Sequence, residues 1–323
     1  MNYIVFDLEW NQSSTKFREN KRLPFEIIEI GAVKLDEQGQ YVDRFQSLVR
    51  PVVYRHMHNI TENLVHIHEA ELQKARYFTE VMRDFLSFCG EKYIFCTWGN
   101  QDVAELQQNM DYYAMPPLSD GPLQFYDVQK LFSLSYDDGK SRKSLKNCVE
   151  FLELQDPDVP FHRAFADAWY TALIFQKVRS DRTLRRVSFD TYRLPASRKE
   201  EISWKFDTYS KYISTSFPDK HVLLGTKRVT AIRCLYCDQQ LRRLTQWFSP
   251  NGKNYYNAGE CSEHGRMRCK IRVCKAGEDR VFAVKTIRPM QETEFGEFED
   301  MRVHAQQHKG KRKRAKENEK ELH

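Results

Sequence analysis

The stretch Phe6-Asp7-Leu8-Glu9-Trp10 closes the apolar run that opens the chain, Tyr3 to Trp10, which is rich in β-branched and aromatic residues. Such a run reads as a strand, and side chains two apart on a strand share a face. Asp7 and Glu9 therefore point the same way. Two like charges on a half-buried strand repel each other and lose hydration, so the pair needs a compensating partner, most simply divalent cations. Two further acids in suitable contexts lie far downstream: Asp102 in Trp98-Gly99-Asn100-Gln101-Asp102, and Asp167 in His162-Arg163-Ala164-Phe165-Ala166-Asp167-Ala168. A strand pair plus two distant aspartates suits a two-metal site, where hard cations take carboxylate oxygens and hold phosphate oxygens between them.

Asp-x-Glu on the first strand, an aspartate in a middle segment and His-x4-Asp at the start of a late helix resemble, in order and spacing, the DEDDh group of 3′-to-5′ exonucleases. The second strand, Glu26-Ile27-Ile28-Glu29-Ile30-Gly31-Ala32-Val33, adds to the match. The resemblance covers residues 1–180 and is nearest to bacterial members of the RNA-trimming, histone-mRNA-exonuclease branch, including sporulation-inhibitor-like exonucleases. It implies an α/β, RNase H-like fold: a mixed sheet of three antiparallel strands plus parallel strands, flanked by helices. It also implies that Asp7, Glu9, Asp102 and Asp167 hold two Mg2+ or Mn2+ ions about 4 Å apart. In that arrangement Asp7 bridges both ions, Glu9 also contacts the terminal ribose, and His162 deprotonates the attacking water. Leu8 and Trp10 flank the acidic pair and are expected at the terminal nucleotide.

The chain of 323 residues is long enough for two domains. Its composition, 41% hydrophobic and 13% aromatic, argues for a globular protein. No run of about 18 apolar residues appears, and Met1-Asn2-Tyr3-Ile4 leads straight into the first strand. The expectation is a cytoplasmic protein with neither membrane span nor signal peptide. In such a compartment the eight cysteines, some in pairs at ligand spacing, read as metal ligands rather than disulfides. Net charge is +6, but residues 220–290 hold fifteen Lys or Arg against five Asp or Glu. That asymmetry favours a polyanion-binding module attached to a more neutral catalytic one.

After the first strand, the loop from Asn11 to Lys21 carries Lys16 and Arg18 and reads either as a solvated connection or as a source of cations that meet substrate phosphates. Glu26 to Leu35 reads as a second strand, residues 36–40 as a turn and Tyr41 to Val49 as a third strand. Residues 72–89 show helical spacing in Ala75, Phe78, Val81, Phe85 and Phe88, with Gly90 as a stop. Tyr93 to Thr97 is a short buried strand, and Asp102 starts a helix where it serves either as a plain cap or as a metal ligand. Residues five apart on one helix diverge by about 140°. His162 is therefore expected on the loop before the helix and Asp167 in its first turn, where both face one site. A neutral imidazole there is a good general base.

Residues 181–220 read as a linker with a helix or two docking on the first domain, and 221–290 as a small β-rich, basic domain. There Cys234-x2-Cys237 and Cys261-x2-His264 form two chelating pairs with the knuckle spacing of a zinc ribbon. Such a sheet is too slight to fold on its core alone, so Zn2+ is expected as its staple. Cys269 is the alternative to His264 as fourth ligand. Arg242, Arg243 and Trp247 belong to a series of interleaved cations and aromatics suited to following a nucleic-acid backbone and stacking on unpaired bases. The alternative is that Trp247 fills the small core. Residues 291–323 end in His308 to Lys316, with six Lys or Arg in nine residues, and read as a disordered basic tail.

Together these features predict a phosphodiester hydrolase that removes nucleotides from single-stranded 3′ ends, RNA favoured over DNA. The rival readings are a DNA exonuclease of proofreading or repair type, a non-catalytic nucleic-acid-binding regulator, and a polyanion or membrane-surface adaptor.

Overall fold

In the computed structural model of this chain the opening run is strand β1, Asn2–Gln12. The description covers every residue except Lys16, Arg18, His66, Pro157, Leu322 and His323, with backbone alone for Ile60, Asn63, Leu64 and 308–321. Ile4, Phe6 and Leu8 enter one core on alternate positions of β1, and Tyr3, on the other face, meets Phe175 with ring centroids 5.0 Å apart. Asp7 and Glu9 share the Tyr3 face by the two-residue period of the strand.

β1 pairs antiparallel with β2 (Phe25–Leu35), which pairs antiparallel with β3 (Tyr41–Arg50). Asp36 closes the second hairpin by accepting the amides of Gln38 and Gln40 at 2.9 and 2.8 Å. Next come α1 (Asn59–Val65), α2 (Glu69–Lys74), β4 (Arg76–Tyr77), α3 (Phe78–Cys89), β5 (Tyr93–Thr97) and α4 (Gln101–Tyr112). They are followed by β6 (Gln124–Asp127), α5 (Val128–Tyr136), α6 (Leu145–Phe151), α7 (Ala164–Val178), α8 (Asp181–Leu184) and β7 (Ser188–Phe189). The strands form one sheet in the order β4-β3-β2-β1-β5-β6-β7, with β5 parallel to β1 and β6 parallel to β5. This is the mixed sheet that the three opening strands and the later alternation of helix and strand predict.

The helix expected over 72–89 is broken. Ala75 and Tyr77 are extended, with ψ of 162° and 153°, because Arg76 and Tyr77 pair with Val49 and Arg50 at the sheet edge. The apolar spacing is continuous through that break, so periodicity alone could not locate it. Gly90, at φ 80°, ends α3 where the sequence places a stop.

The chain divides into two compact units, Met1–Arg193 and Leu194–His323. The second holds β8 (Ile202–Lys205), β9 (Ser210–Ile213), α9 (Lys220–Gly225), α10 (Lys227–Thr230) and β10 (Arg242–Arg243). It continues with β11 (Asn254–Cys261), β12 (Gly265–Ala276), β13 (Arg280–Pro289) and α11 (Glu292–Glu321). Its sheet runs β10-β11-β12-β13-β9-β8.

The stretch 181–220, expected as a linker with helices docking on the first domain, is divided: α8 and β7 belong to the first unit, where β7 pairs with β6, whereas from residue 194 the chain belongs to the second, where β9 pairs with β13, from Ile213 opposite Val284 to Ser210 opposite Ile287, and β8 extends that edge. Strands of four residues around a polar turn leave no run long enough to read. Where a disordered tail is expected over 291–323, residues 292–321 are helical, and Leu322 and His323 lie outside the described residues. α11 carries Phe298, only 1% exposed, into a cluster with Phe248, Ala258, Met290 and Ala305. Phe295, Phe298, Met301 and Ala305, three or four apart, carry the helical signal upstream of the basic run. Among the described residues no helix is long and apolar enough to cross a membrane.

Candidate active site

One carboxylate oxygen from each of Asp7, Glu9 and Asp167 lies within 4.8 Å of the others, joining β1 to the first turn of α7. Asp167 Oδ1 is buried and has no hydrogen-bond partner. An orphaned carboxylate oxygen between two other carboxylates is what a hard divalent cation takes up, so the donor set fits Mg2+ or Mn2+. Asp102 stands beside this trio rather than within it. It is 5% exposed at the start of α4, and its Oδ1 accepts the Leu8 amide at 3.3 Å. The ladder between β1 and β5 ends at the pair Val5 and Cys96, which leaves that amide to the side chain.

The electrostatics record how crowded this acid cluster is. Burial, followed by the charges of Asp102, Asp167, Glu9 and Glu29, pushes the Asp7 carboxyl well above the usual carboxylate range. Burial raises Glu9 to about 8, with Asp167 and Glu29 adding to the shift. Burial also raises Asp102 to about 7, although its own amide and that of Leu8 oppose the rise. Asp167 reaches about 6 through burial, opposed by the His162 amide and ring. Loss of water is the largest cause of each shift, and a bound divalent ion would oppose it.

His162 lies just before the N-cap Arg163, as the five-residue spacing predicts, and has φ 69°. A left-handed backbone at a residue with a side chain costs about 1–3 kcal/mol and persists only where its neighbours are fixed. They are fixed by Glu29. This fully buried carboxylate accepts Arg163 Nη2 at 2.7 Å, Arg163 Nε at 3.0 Å, the Ala164 amide at 3.1 Å and Gln46 Nε2 at 2.9 Å. Two residues along β2, Gly31 lets α7 come close: a Cβ there would stand 2.1 Å from the Phe165 nitrogen and 2.2 Å from the Ala164 carbonyl carbon. Neither Glu29 nor Gly31 is singled out by the sequence reading. The available signals were an acid and a glycine inside an otherwise apolar strand.

Leu8 meets Asp102 through its amide, and its side chain, 3% exposed, lies in the core. Trp10 packs beside that core, its ring 5.9 Å from Phe25. Arg18 lies outside the described residues.

In the second unit, one atom from each of Cys234, Cys237, Cys261 and His264 lies within 4.8 Å of the others. Cys261 Sγ is 3.6 Å from both Cys237 Sγ and His264 Nδ1. Cys269 is outside the cluster, fully buried on β12, and burial pushes its thiol up to about 12. His264, and not Cys269, is therefore the fourth member of the cluster, and three thiols with one imidazole fit tetrahedral Zn2+. Trp247 packs against two apolar clusters of this unit, one around Ile232 and Met267 and one around Leu223 and Ile271, which favours a core role over a stacking platform. Arg242 is ion-paired with Glu260, opposite it on β11, and Arg243 is exposed.

A model of the RNase_T exonuclease family matches residues 4–175. Similar solved structures include a full-length 3′-exonuclease, at 20% identity over 55% of this chain and 80% of that one, with a TM-score of 0.46. The nuclease domain of 3′hExo, a DEDDh family member, bound to rAMP, aligns at 21% identity over 55% of this chain and 90% of that one, TM-score 0.47. E. coli exonuclease I in complex with a dA16 oligonucleotide aligns at 12% identity over 57% and 42% respectively, TM-score 0.44. No curated protein matches the sequence. The family match spans more than half of the chain and takes in Asp7, Glu9, Asp102, His162 and Asp167, and the chain belongs to the RNase_T exonuclease family.

Proposed function

We propose that the protein is a metal-dependent exonuclease that removes nucleotides in the 3′-to-5′ direction from single-stranded ends, RNA in preference to DNA. The observation that carries the reading is the convergence of Asp7, Glu9 and Asp167, together with a buried Asp167 Oδ1 that has no hydrogen-bond partner. The direction and the RNA preference rest on the motif set, which resembles the RNA-trimming branch of the DEDDh group.

Asp7, Glu9 and Asp167, with Asp102 beside them, would hold Mg2+ or Mn2+; when bound, the cations supply the positive charge that phosphodiester hydrolysis needs at phosphate oxygens. His162 takes the proton of the attacking water, and its position next to Asp167 puts it at the edge of the acid cluster. Arg163 and Glu29 hold that imidazole's backbone in place. Cys234, Cys237, Cys261 and His264 would hold a structural Zn2+.

The test is a time course on 5′-labelled RNA and DNA of one sequence with Mg2+ or Mn2+. The expected result is a ladder shortening from the 3′ end, faster on RNA. Asp7→Ala and Asp167→Ala should abolish it with the fold intact, and His162→Ala should slow it by roughly 100-fold. Retained activity in either aspartate variant would remove the assignment.

A further inference from the structure

The second unit holds a cavity of about 460 Å³ whose lining includes six cations, Lys205, Lys211, Lys227, Arg228, Arg233 and Lys285, and one carboxylate, Asp238. Its volume falls in the range of about 300–1,000 Å³ typical of ligand sites. The residues come from β8, β9, α10, β13 and the segment leading into the first cysteine knuckle, so the concentration of charge is a product of folding and not of a run in the sequence. Arg228 bonds to Glu201, with Nη2 3.2 Å from Oε1, and Glu201 also accepts the Tyr212 hydroxyl at 2.7 Å. Asp238 is shared by Lys205 and Arg233 at 3.6 Å each, exposed pairs of the kind that contribute little. Lys285, 8% exposed, donates to the carbonyls of Arg228 and Ala231 at 3.2 and 2.9 Å, which take two of its three hydrogens, and its Nζ lies 4.9 Å from the centre of the Tyr212 ring, so no carboxylate neutralises it directly.

A buried ammonium held by neutral acceptors and surrounded by other cations is costly unless an anion completes the site. Six cations against one carboxylate suit an occupant that carries several negative charges along its length. We infer that this cavity binds the backbone phosphates of a single-stranded nucleic acid. This rests on the nuclease reading for the choice of polyanion, and it assigns capture to residues other than Arg242, Arg243 and Trp247.

The experiment measures binding rather than hydrolysis, so that an inactive enzyme and an empty cavity are told apart. Fluorescence anisotropy of a short labelled single-stranded RNA is followed against salt with the full-length protein, without added Mg2+ or Mn2+. Lys211→Ala with Lys227→Ala should weaken binding roughly tenfold or more and flatten the log–log salt slope by about 1.4, at about 0.7 per lost contact. Lys220→Ala with Lys275→Ala removes the same charge from exposed positions outside the cavity and should leave the slope near that of the parent. In the unmodified protein, bound RNA should shield Lys211 and Lys227 from amine acylation more than Lys220 and Lys275, a readout independent of how the variants fold. Equal effects of the two double variants, or no effect and no shielding, would overturn the inference.

Discussion

Replacing Gly31 by alanine adds one methyl group, and the structure says what it must displace. The new Cβ would lie 2.1 Å from the Phe165 nitrogen, 2.2 Å from the Ala164 carbonyl carbon and 2.5 Å from its oxygen, all backbone atoms of the first turn of α7. Restoring ordinary contact requires the helix and strand to part by about 1 Å, because close-packed backbone cannot yield as a flexible side chain does. Asp7 is paired with Gly31 across the β1–β2 ladder, whereas Asp167 rides on the displaced turn, so the separation opens the acid cluster itself. Overpacking of this kind costs about 1–3 kcal/mol of stability. A misplacement of about 1 Å at a catalytic constellation costs on the order of 100-fold in rate. The assay pairs urea unfolding with single-turnover RNA hydrolysis across a Mg2+ titration, at a temperature where circular dichroism shows the variant fully folded. The expected variant is folded, slow and in need of more Mg2+. A folded Gly31→Ala protein with parental rate and parental Mg2+ dependence would refute the argument that this close approach sets the site.

Arg163→Met strands the buried Glu29 carboxylate and should cost about 3 kcal/mol in urea unfolding, whereas adding Glu29→Gln should recover part of it; an unchanged midpoint in the single variant would count against the pair. Metal analysis of the purified protein should find zinc, and its chelation should make Cys234, Cys237 and Cys261 reactive toward a thiol reagent before the core residue Cys269; equal reactivity with and without chelator would exclude a zinc staple. Burial holds Lys285 at about 8, against 10.5 for an ordinary lysine. Between those values the unfolded chain keeps a proton that the folded one has released, so this residue's contribution makes stability rise with pH through that window. Lys285→Met should remove that part of the rise in unfolding measured at several pH values; an identical pH profile in the variant would show that the residue does not titrate as described.

The acids of the site were legible because strand periodicity puts Asp7 and Glu9 on one face, and because a five-residue spacing needs a loop before the helix to bring His162 and Asp167 together. Their supports were not. Glu29 lies in an apolar strand run, and its partner Arg163 is 134 residues away in the chain. Gly31 looks like an ordinary strand glycine until the helix that approaches it is placed. The zinc donors were readable as two local pairs, but only the fold separates His264 from Cys269, by turning one into the cluster and the other into the core. β8 and β9 were missed because four-residue strands carry too few positions to show a period. The cationic cavity was missed because its charges come from five segments.

The contrast between Glu29 and its neighbour Glu9 argues most directly for a cation in the acid cluster. The two face each other in register across β1 and β2, carry the same side chain, and are both withdrawn from water. The fold gives Glu29 four hydrogen bonds, two of them from a guanidinium. A chain able to place Arg163 there had the means to neutralise Asp7, Glu9 or Asp167 in the same way. Instead it leaves Glu9 raised to about 8 and Asp167 Oδ1 without a partner. Unneutralised buried acids beside a neutralised one are not a failure of packing. Oxygens of Asp7, Glu9 and Asp167 lie close enough together for one divalent ion to relieve all three at once.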